Sequence, residues 1–239
     1  DSAGALIWQT SYTGIGNCDD KASGIAIDRL GNIYVTGSSK YSGAKFEIAT
    51  VKYISSGLQQ WVQRYNGNQA GNNYSYSIAV DSLNNVYVSG YCSNFGTGQD
   101  GMTIKYSTSG VQQWVQIYDG GLGYDLHTSM SVSKLGNVFV TGFSQGSSAT
   151  RDDIITIKYN SSGIQQWLMR FNASENLYDR AYALVLDDSE NVYITGSSQS
   201  SGYWDYITIK YNSFGVQQWF QRYNGPANGW DEITSMAVD

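Results

Sequence analysis

The sequence predicts an all-β chain assembled from one four-stranded antiparallel unit that is repeated four times. Three recurring words carry that prediction. KYISSGLQQW at 52–61 returns as KYSTSGVQQW at 105–114, KYNSSGIQQW at 158–167 and KYNSFGVQQW at 210–219. GNIYVTG at 31–37 returns as NNVYVSG at 84–90, GNVFVTG at 136–142 and ENVYITG at 190–196. GIAID at 24–28 returns as SIAVD at 77–81, SMSVS at 129–133, ALVLD at 183–187 and SMAVD at 235–239. All three words keep an interval of 52 to 54 residues.

Each unit holds four β-like runs. In the second they are Ser77–Val80, Val86–Ser89, Met102–Tyr106 and Val111–Tyr118, rich in Val, Ile, Tyr, Thr and Trp. Gly, Asn, Ser and Asp fill the gaps between them. The stretch from Asp28 to Asn32, and from Asp81 to Asn85, reads as a tight hairpin in which Gly or Asn takes positive φ. The Ser-Ser-Gly at 55–57 and 161–163 does the same for the last hairpin. Apolar side chains occupy both parities, as in Ile33-Tyr34-Val35, so both faces of each sheet are covered. Four-stranded units of about 50 residues that pack face to face describe the blades of a β-propeller. A two-sheet sandwich does not demand so strict a period.

Composition agrees. The 239 residues include Gly 27, Tyr 20 and Trp 7 against a single Pro, and 14% are charged. Such a chain can bury a large core, which excludes intrinsic disorder. No apolar run approaches the roughly 20 residues of a membrane helix, so no membrane insertion is expected. A net charge of −6 with no basic cluster argues against nucleic acid as a partner. Cys18, Cys92 and His127 cannot make a Cys₂His₂ or Cys₄ zinc site. The sequence opens at Asp1 without Met, as a processed or excised product would.

The run IAID or IAVD, then GNIYVTG and its variants, then TIKY and SGxQQW, resembles the SBBP-type β-propeller repeat of secreted bacterial proteins. It is similar in layout to NHL and YWTD repeats. The resemblance covers essentially the whole chain and implies a propeller in an extracellular or cell-surface setting. It lends no catalytic residues. By this analogy the AVD run is the inner strand, YVTG the second, TIKY the third and the Gln-Gln-Trp run the outermost. Small side chains at Ala26, Ala79, Ser131, Val185 and Ala237 then suit a crowded axis. Trp8, Trp61, Trp114, Trp167 and Trp219 fill the wedge that widens outward between blades.

This scheme places blades at 24–65, 77–118, 129–171 and 183–223. An orphan outer strand, Leu6–Tyr12 within residues 1–12, precedes them, and an orphan inner strand, Ile233–Val238 within 233–239, follows. The expectation is four complete blades plus an incomplete terminal one, in a ring of five or more. Either the chain is an arc of a longer propeller, or self-association with a partner chain completes it. Unpaired sheet edges are otherwise a liability.

Loops before the inner strand and between the second and third strands emerge on one face. There the chain carries Asp20, Asn73, Asp125, Asp179 and Asp231, and Glu47, Asp100, Asp153 and Asp205. Short polar side chains of this kind cap loop N–H groups; the alternative is a cation site, for which Ca²⁺ is the candidate. No Asp-x-Asp-x-Asp-Gly loop is present, and no cofactor is otherwise implied. Tyr124, Tyr178 and Trp230 sit immediately before three of these acids, and Trp204, Tyr203, Tyr91 and Phe95 lie in the other loops of the face. Flat aromatics beside Asp125, Asp179 and Asp231 suit carbohydrate stacking or a protein-interface anchor. Cys18 and Cys92 fall on this face of neighbouring blades, which makes a disulfide geometrically reasonable, with two thiols as the alternative. His127, near Asp125 and Ser129, invites a triad, but no nucleophile word such as Gly-x-Ser-x-Gly accompanies it. Lys52, Lys105, Lys158 and Lys210 read as snorkelling or pairing with a strand neighbour.

The function these readings favour is a non-catalytic scaffold or recognition module for protein or glycan. Two other classes remain as alternatives. One is a channel-mouth enzyme: Gly-x-x-x-Trp is similar to the tryptophan-docking word of quinoprotein dehydrogenases, though their vicinal Cys pair is absent, and a polysaccharide-cleaving site would draw on the same acids. The other is a self-assembling structural protein.

Overall fold

A computed structural model describes residues 5–15, 18–40, 45–67, 71–94, 96–121, 123–146, 151–200, 202–231, 233 and 235–238. The described chain is all-β. Blade 1 is β1 (Asp20–Ile27), β2 (Ile33–Lys40), β3 (Phe46–Tyr53) and β4 (Gln59–Tyr65). Blade 2 is β5 (Tyr74–Val80), β6 (Val86–Asn94), β7 (Gly98–Tyr106) and β8 (Gln112–Tyr118). Blade 3 is β9 (Asp125–Val132), β10 (Val138–Gln145), β11 (Asp152–Tyr159) and β12 (Gln165–Phe171). Blade 4 is β13 (Asp179–Leu186), β14 (Val192–Ser200), β15 (Tyr203–Tyr211) and β16 (Gln217–Tyr223). Every blade is an antiparallel meander in chain order.

The first hairpin of a blade is built around its motif Asp. Asp28 accepts from the N–H groups of Leu30 and Asn32, the Asn32 amide and the Tyr34 hydroxyl. Asp81 and Asp187 repeat the arrangement. The hairpin closes on a residue at positive φ, Gly31, Asn84, Gly136 or Glu190 in turn.

The inner strands begin three or four residues before the expected blade starts, because a β-bulge carries the pairing onward. The register slips at residue 23 between Ala22 and Gly24, and at the equivalent point in each later blade. Opposite each bulge lies the glycine of the YVTG word. A Cβ on Gly37, Gly90, Gly142 or Gly196 would stand 1.7–2.1 Å from a carbonyl oxygen of the bulged strand. The backbones approach too closely for any side chain there.

Blades cover one another face to face. One core cluster joins Tyr34 and Ile48 of blade 1 to Val86, Val88, Met102 and Ile104 of blade 2. A second joins Tyr87 to Met130, Val138 and Ile155 of blade 3, and a third joins Phe139 and Ile154 to Leu184, Ile194 and Ile207 of blade 4. At the rim each outer-strand Trp reaches the next blade. The indole N–H of Trp61 donates to the Thr108 carbonyl, Trp114 to Ser161 and Trp167 to Ser213, each at 3.2 Å. Lys52, Lys105 and Lys158 donate to the same three carbonyls, each ammonium lying over an aromatic ring of its own blade.

The expected terminal strands form no ladder among the described residues, since neither has a neighbouring strand to pair with. Residues flanking the four blades nonetheless repeat contacts made between blades. Trp8 donates to the Ser55 carbonyl of blade 1 at 2.9 Å, as the other Trp residues do in their turn. At the other end Asp231 accepts from the Gly225 N–H, just as Asp179 accepts from Ala173.

The close approach at the bulge makes a test. Gly196→Ala places a methyl within 1.9 Å of the Arg180 carbonyl oxygen and is expected to cost about 1–3 kcal/mol, lowering Tm by about 2–10 °C. Gly229→Ala, with no atom within 4 Å of the new Cβ, is expected to leave Tm within about 2 °C in the same thermal melt.

Candidate functional site

Two of the aromatic residues singled out on the loop face, Tyr178 and Trp204, come together over blades 3 and 4, around a guanidinium. Arg180 is the second residue of β13. Its guanidinium lies 4.9 Å from the Phe143 ring, 5.0 Å from Tyr178 and 5.8 Å from Trp204. Asp152, the first residue of β11, holds it in an ion pair at 2.6 Å. Tyr178 and Trp204 are 6.0 Å apart, and Arg151 approaches the Tyr178 ring at 5.6 Å. The result is a rigid plate of rings whose central positive charge is already matched by a carboxylate.

Two grooves flank this plate and share Arg180. One, of 390 Å³, is lined by Gln99, Tyr124, Phe143, Gln145 and Tyr178. The other, of 460 Å³, is lined by Tyr182, Ser197, Trp204 and Trp230. Tyr124 and Trp230 form the outer lips, 57% and 68% exposed. Tyr124 is held by a backbone bridge to Gln99. Tyr203 is exposed beside Trp204, whereas Tyr91 is buried over blade 2, against Tyr74 and Tyr76. Phe95 lies outside the described residues.

The acids do something else. Asp125 and Asp179 are buried, and each accepts a loop N–H, Gly120 at 2.7 Å and Ala173 at 2.8 Å. Asp231 and Asp20 do the same for Gly225 and Gly14. Asp125, Asp179 and Asp231 line neither groove. The cause is local: the loop entering each inner strand turns back and presents an N–H that only this side chain can satisfy. Burial pushes the carboxyls of Asp125 and Asp179 above the usual range, offset in part by these hydrogen bonds.

His127 is fully buried and takes no part in a triad. Its Nδ1 faces the Thr103 hydroxyl at 3.2 Å and the Met102 carbonyl at 3.3 Å, and its ring stacks on Tyr118. Burial pushes its pKa down to about 4, leaving a neutral imidazole that fills the space beside Gly101. The Cys18–Cys92 disulfide is not formed in the structure. Cys92 turns into the core between blades 1 and 2, where burial pushes its thiol up to about 11. Cys18 sits half-buried in the loop before β1.

Sequence reasoning missed Arg180, Phe143 and Asp152, which organise the plate. Their signal is departure from the repeat. The residue after the capping acid or amide is Lys21, Tyr74, Leu126 or Arg180, and the residue aligned with Asp152 is Phe46, Gln99 or Trp204. These positions differ in every blade while the words around them stay constant.

Comparison with known proteins bears on the repeat. Among solved structures the chain is similar to a putative gluconolactonase, with a TM-score of 0.46 and 9% identity, over 82% of this chain and 61% of that one. It is similar to the endo-arabinase of Bacteroides thetaiotaomicron, with a TM-score of 0.46 and 11% identity, over 90% of this chain and 85% of that one. A eukaryotic initiation factor follows at a TM-score of 0.42 and 7% identity, over 87% of this chain and 55% of that one. The chain thus spans about three fifths of the length of the first of these, and at such identities none lends it an activity. No curated protein matches the sequence. The SBBP model, described as a beta-propeller repeat, matches residues 10–40 and 60–94. Those segments hold the inner-strand and YVTG words of blades 1 and 2, and the same words recur in blades 3 and 4.

Proposed function

We propose that the chain is a non-catalytic recognition module, secreted or displayed at a bacterial cell surface, and that its aromatic plate takes a glycan chain. One observation carries this reading: the positions that vary from blade to blade converge on Arg180, Tyr178, Trp204, Tyr124 and Trp230. The words that build the blades do not vary in this way. Asp152 matches the Arg180 charge, and Arg151 beside Tyr178 leaves one positive charge at the groove. Flat ring faces beside the amides of Gln99 and Gln145 suit neutral sugar rings. A protein epitope anchored on the same rings is the other class of ligand. The acids and the imidazole that hydrolysis would require are buried as loop caps and core filling, which supports a binding role over turnover.

A second reading rests on a different cleft. Trp8, Thr10 and Tyr12 stand across a 380 Å³ space from Ile25, Val35, Val51 and Tyr53 of blade 1. Ile25 is 66% exposed there. We infer that the second and third strands of a further repeat fill this space.

Each reading has its experiment. Affinity electrophoresis and calorimetry against a panel of soluble polysaccharides are expected to show retardation by at least one. Tyr124→Ala with Trp230→Ala is expected to weaken it about 10-fold or more with Tm unchanged. Unaltered binding by that variant removes the site, and release of reducing sugar overturns the non-catalytic reading. For the cleft, a chain extended at its C-terminus by a copy of residues 82–106, the second and third strands of blade 2, is expected to melt at least about 5 °C higher by covering the blade 1 face. An unchanged or lower Tm rejects the cleft as a strand seat.

A further inference from the structure

Three of the four blades neutralise the acid of their third strand with an outer-strand arginine. Arg64 bonds Glu47 at 2.9 Å, Arg170 bonds Asp153 at 2.9 Å, and Arg222 lies 4.0 Å from Asp205. These arginines occupy one position in the words QQWVQRY, QQWLMRF and QQWFQRY. In blade 2 the word is QQWVQIY, and Ile117 stands in their place. Two residues later, where the other blades have Asn66, Asn172 and Asn224, blade 2 has Asp119. One strand end has therefore lost a positive charge and gained a negative one.

The consequence appears at the seam between blades 2 and 3. One carboxylate oxygen from each of Asp100, Asp119 and Asp125 lies within 4.8 Å of the others. Asp100 and Asp125 are 2% and 0% exposed. Asp100 Oδ2 accepts from Asn94 and from the Thr97 hydroxyl, and Asp125 Oδ2 accepts from the Gly120 N–H. Asp125 also has the Ser144 hydroxyl as a hydrogen-bond partner, whereas the remaining Oδ1 of Asp100 is buried without a protein partner. Asp153 and Asp205 also keep an unbonded Oδ1, but a guanidinium stands beside each of them. Among the described residues no ion pair involves Asp100, Asp119 or Asp125. Arg170 bonds Asp153, Ser144 and Tyr118 instead. Three carboxylates this close, two of them out of water, call for a counter-charge that the chain does not supply.

We propose that Asp100, Asp119 and Asp125 bind a divalent cation, Ca²⁺ by preference, in the seam between blades 2 and 3. All the donors are hard oxygens, which suits Ca²⁺ or Mg²⁺ and not the softer metals. The set is irregular and drawn from a strand, a loop and a strand start, and Ca²⁺ tolerates such geometry where Mg²⁺ demands a near-octahedron. Asp119 is exposed and opens the site to solvent, giving the ion an entry path and room for water ligands. The cation supplies here the positive charge that arginine places beside the third-strand acid in the other blades. Gln99 and Tyr124, which directly precede Asp100 and Asp125, line the 390 Å³ groove, so the ion sits behind that wall.

The test uses the whole chain freed of metal with EDTA, then titrated with CaCl₂ or MgCl₂ by calorimetry and thermal melting. Saturable Ca²⁺ binding is expected, with Kd at or below about 10⁻³ M and weaker Mg²⁺ binding. At 100 times Kd the folded-to-unfolded ratio rises about 100-fold, seen as a Tm increase of about 5–10 °C. Asp119→Asn restores the residue of the other blades on an exposed side chain. It is expected to abolish the Ca²⁺ response and to raise Tm in EDTA. Ile117→Arg, which supplies the guanidinium within the chain, is expected to do the same, while Asp188→Asn on the opposite loops keeps the response. Equal Tm for the unaltered chain in EDTA and in 10 mM CaCl₂ with no binding heat overturns the site, as does an Asp119→Asn variant that responds like the parent.

Discussion

A blade buries its sheet only when another blade covers it, and the rest of this structure follows from that dependence. Each core cluster draws side chains from two successive blades. The sheets diverge toward the rim, and the outer-strand Trp is the side chain large enough to span the gap and finish with a hydrogen bond. Its landing place is fixed by a turn glycine at positive φ. A Cβ on Gly57, Gly110, Gly163 or Gly215 would stand within 2.9 Å of the incoming indole. Trp8 makes the same contact from outside blade 1, so the geometry of a blade interface persists where no complete blade stands.

Near the axis the constraint is the reverse, since the strands crowd. There the bulge in each inner strand lets the backbone lean on the glycine of the second strand, and short polar side chains tie blade to blade. Ser77 accepts from the Met130 N–H, Ser129 from the Leu184 N–H, and Ser23 pairs with Ser75. Polar groups placed in such seams must be matched, because low-dielectric surroundings make an unmatched one costly. Arginine meets that need beside Glu47, Asp153 and Asp205. Blade 2 has Ile117 and Asp119 in place of the arginine and asparagine of the other blades, and the proposed cation would meet the need there.

Uniform blades leave function to the loops. The plate of Tyr178, Arg180 and Trp204 rests on strand starts that the blade interfaces hold still, so its rings are presented without a large ordering cost. The neighbouring acids line neither groove, each accepting a hydrogen bond from the loop that enters its own blade.

The period and the three words determined by themselves the four-stranded unit, while the strand order within it and the packing role of the Trp residues came from the family resemblance that the words carry. A repeat must satisfy the same backbone contacts every time, and those contacts leave the same residues behind. Strand starts were legible to within a few residues, the discrepancy being the bulge, which has no side-chain pattern of its own. The loop face was legible as a place, through Tyr124, Tyr178, Trp204 and Trp230, but its centre was not. Arg180 gains its meaning from Phe143 and Asp152 on another blade. Likewise Asp125 and Asp179 turn inward, Cys92 enters a core, and Asp100 meets Asp119 and Asp125, only because the next blade stands where it does. The repeat encodes contacts within and between identical units, whereas the tertiary structure decided which of the non-identical side chains face each other across a seam, since that depends on loop paths which sequence spacing does not specify.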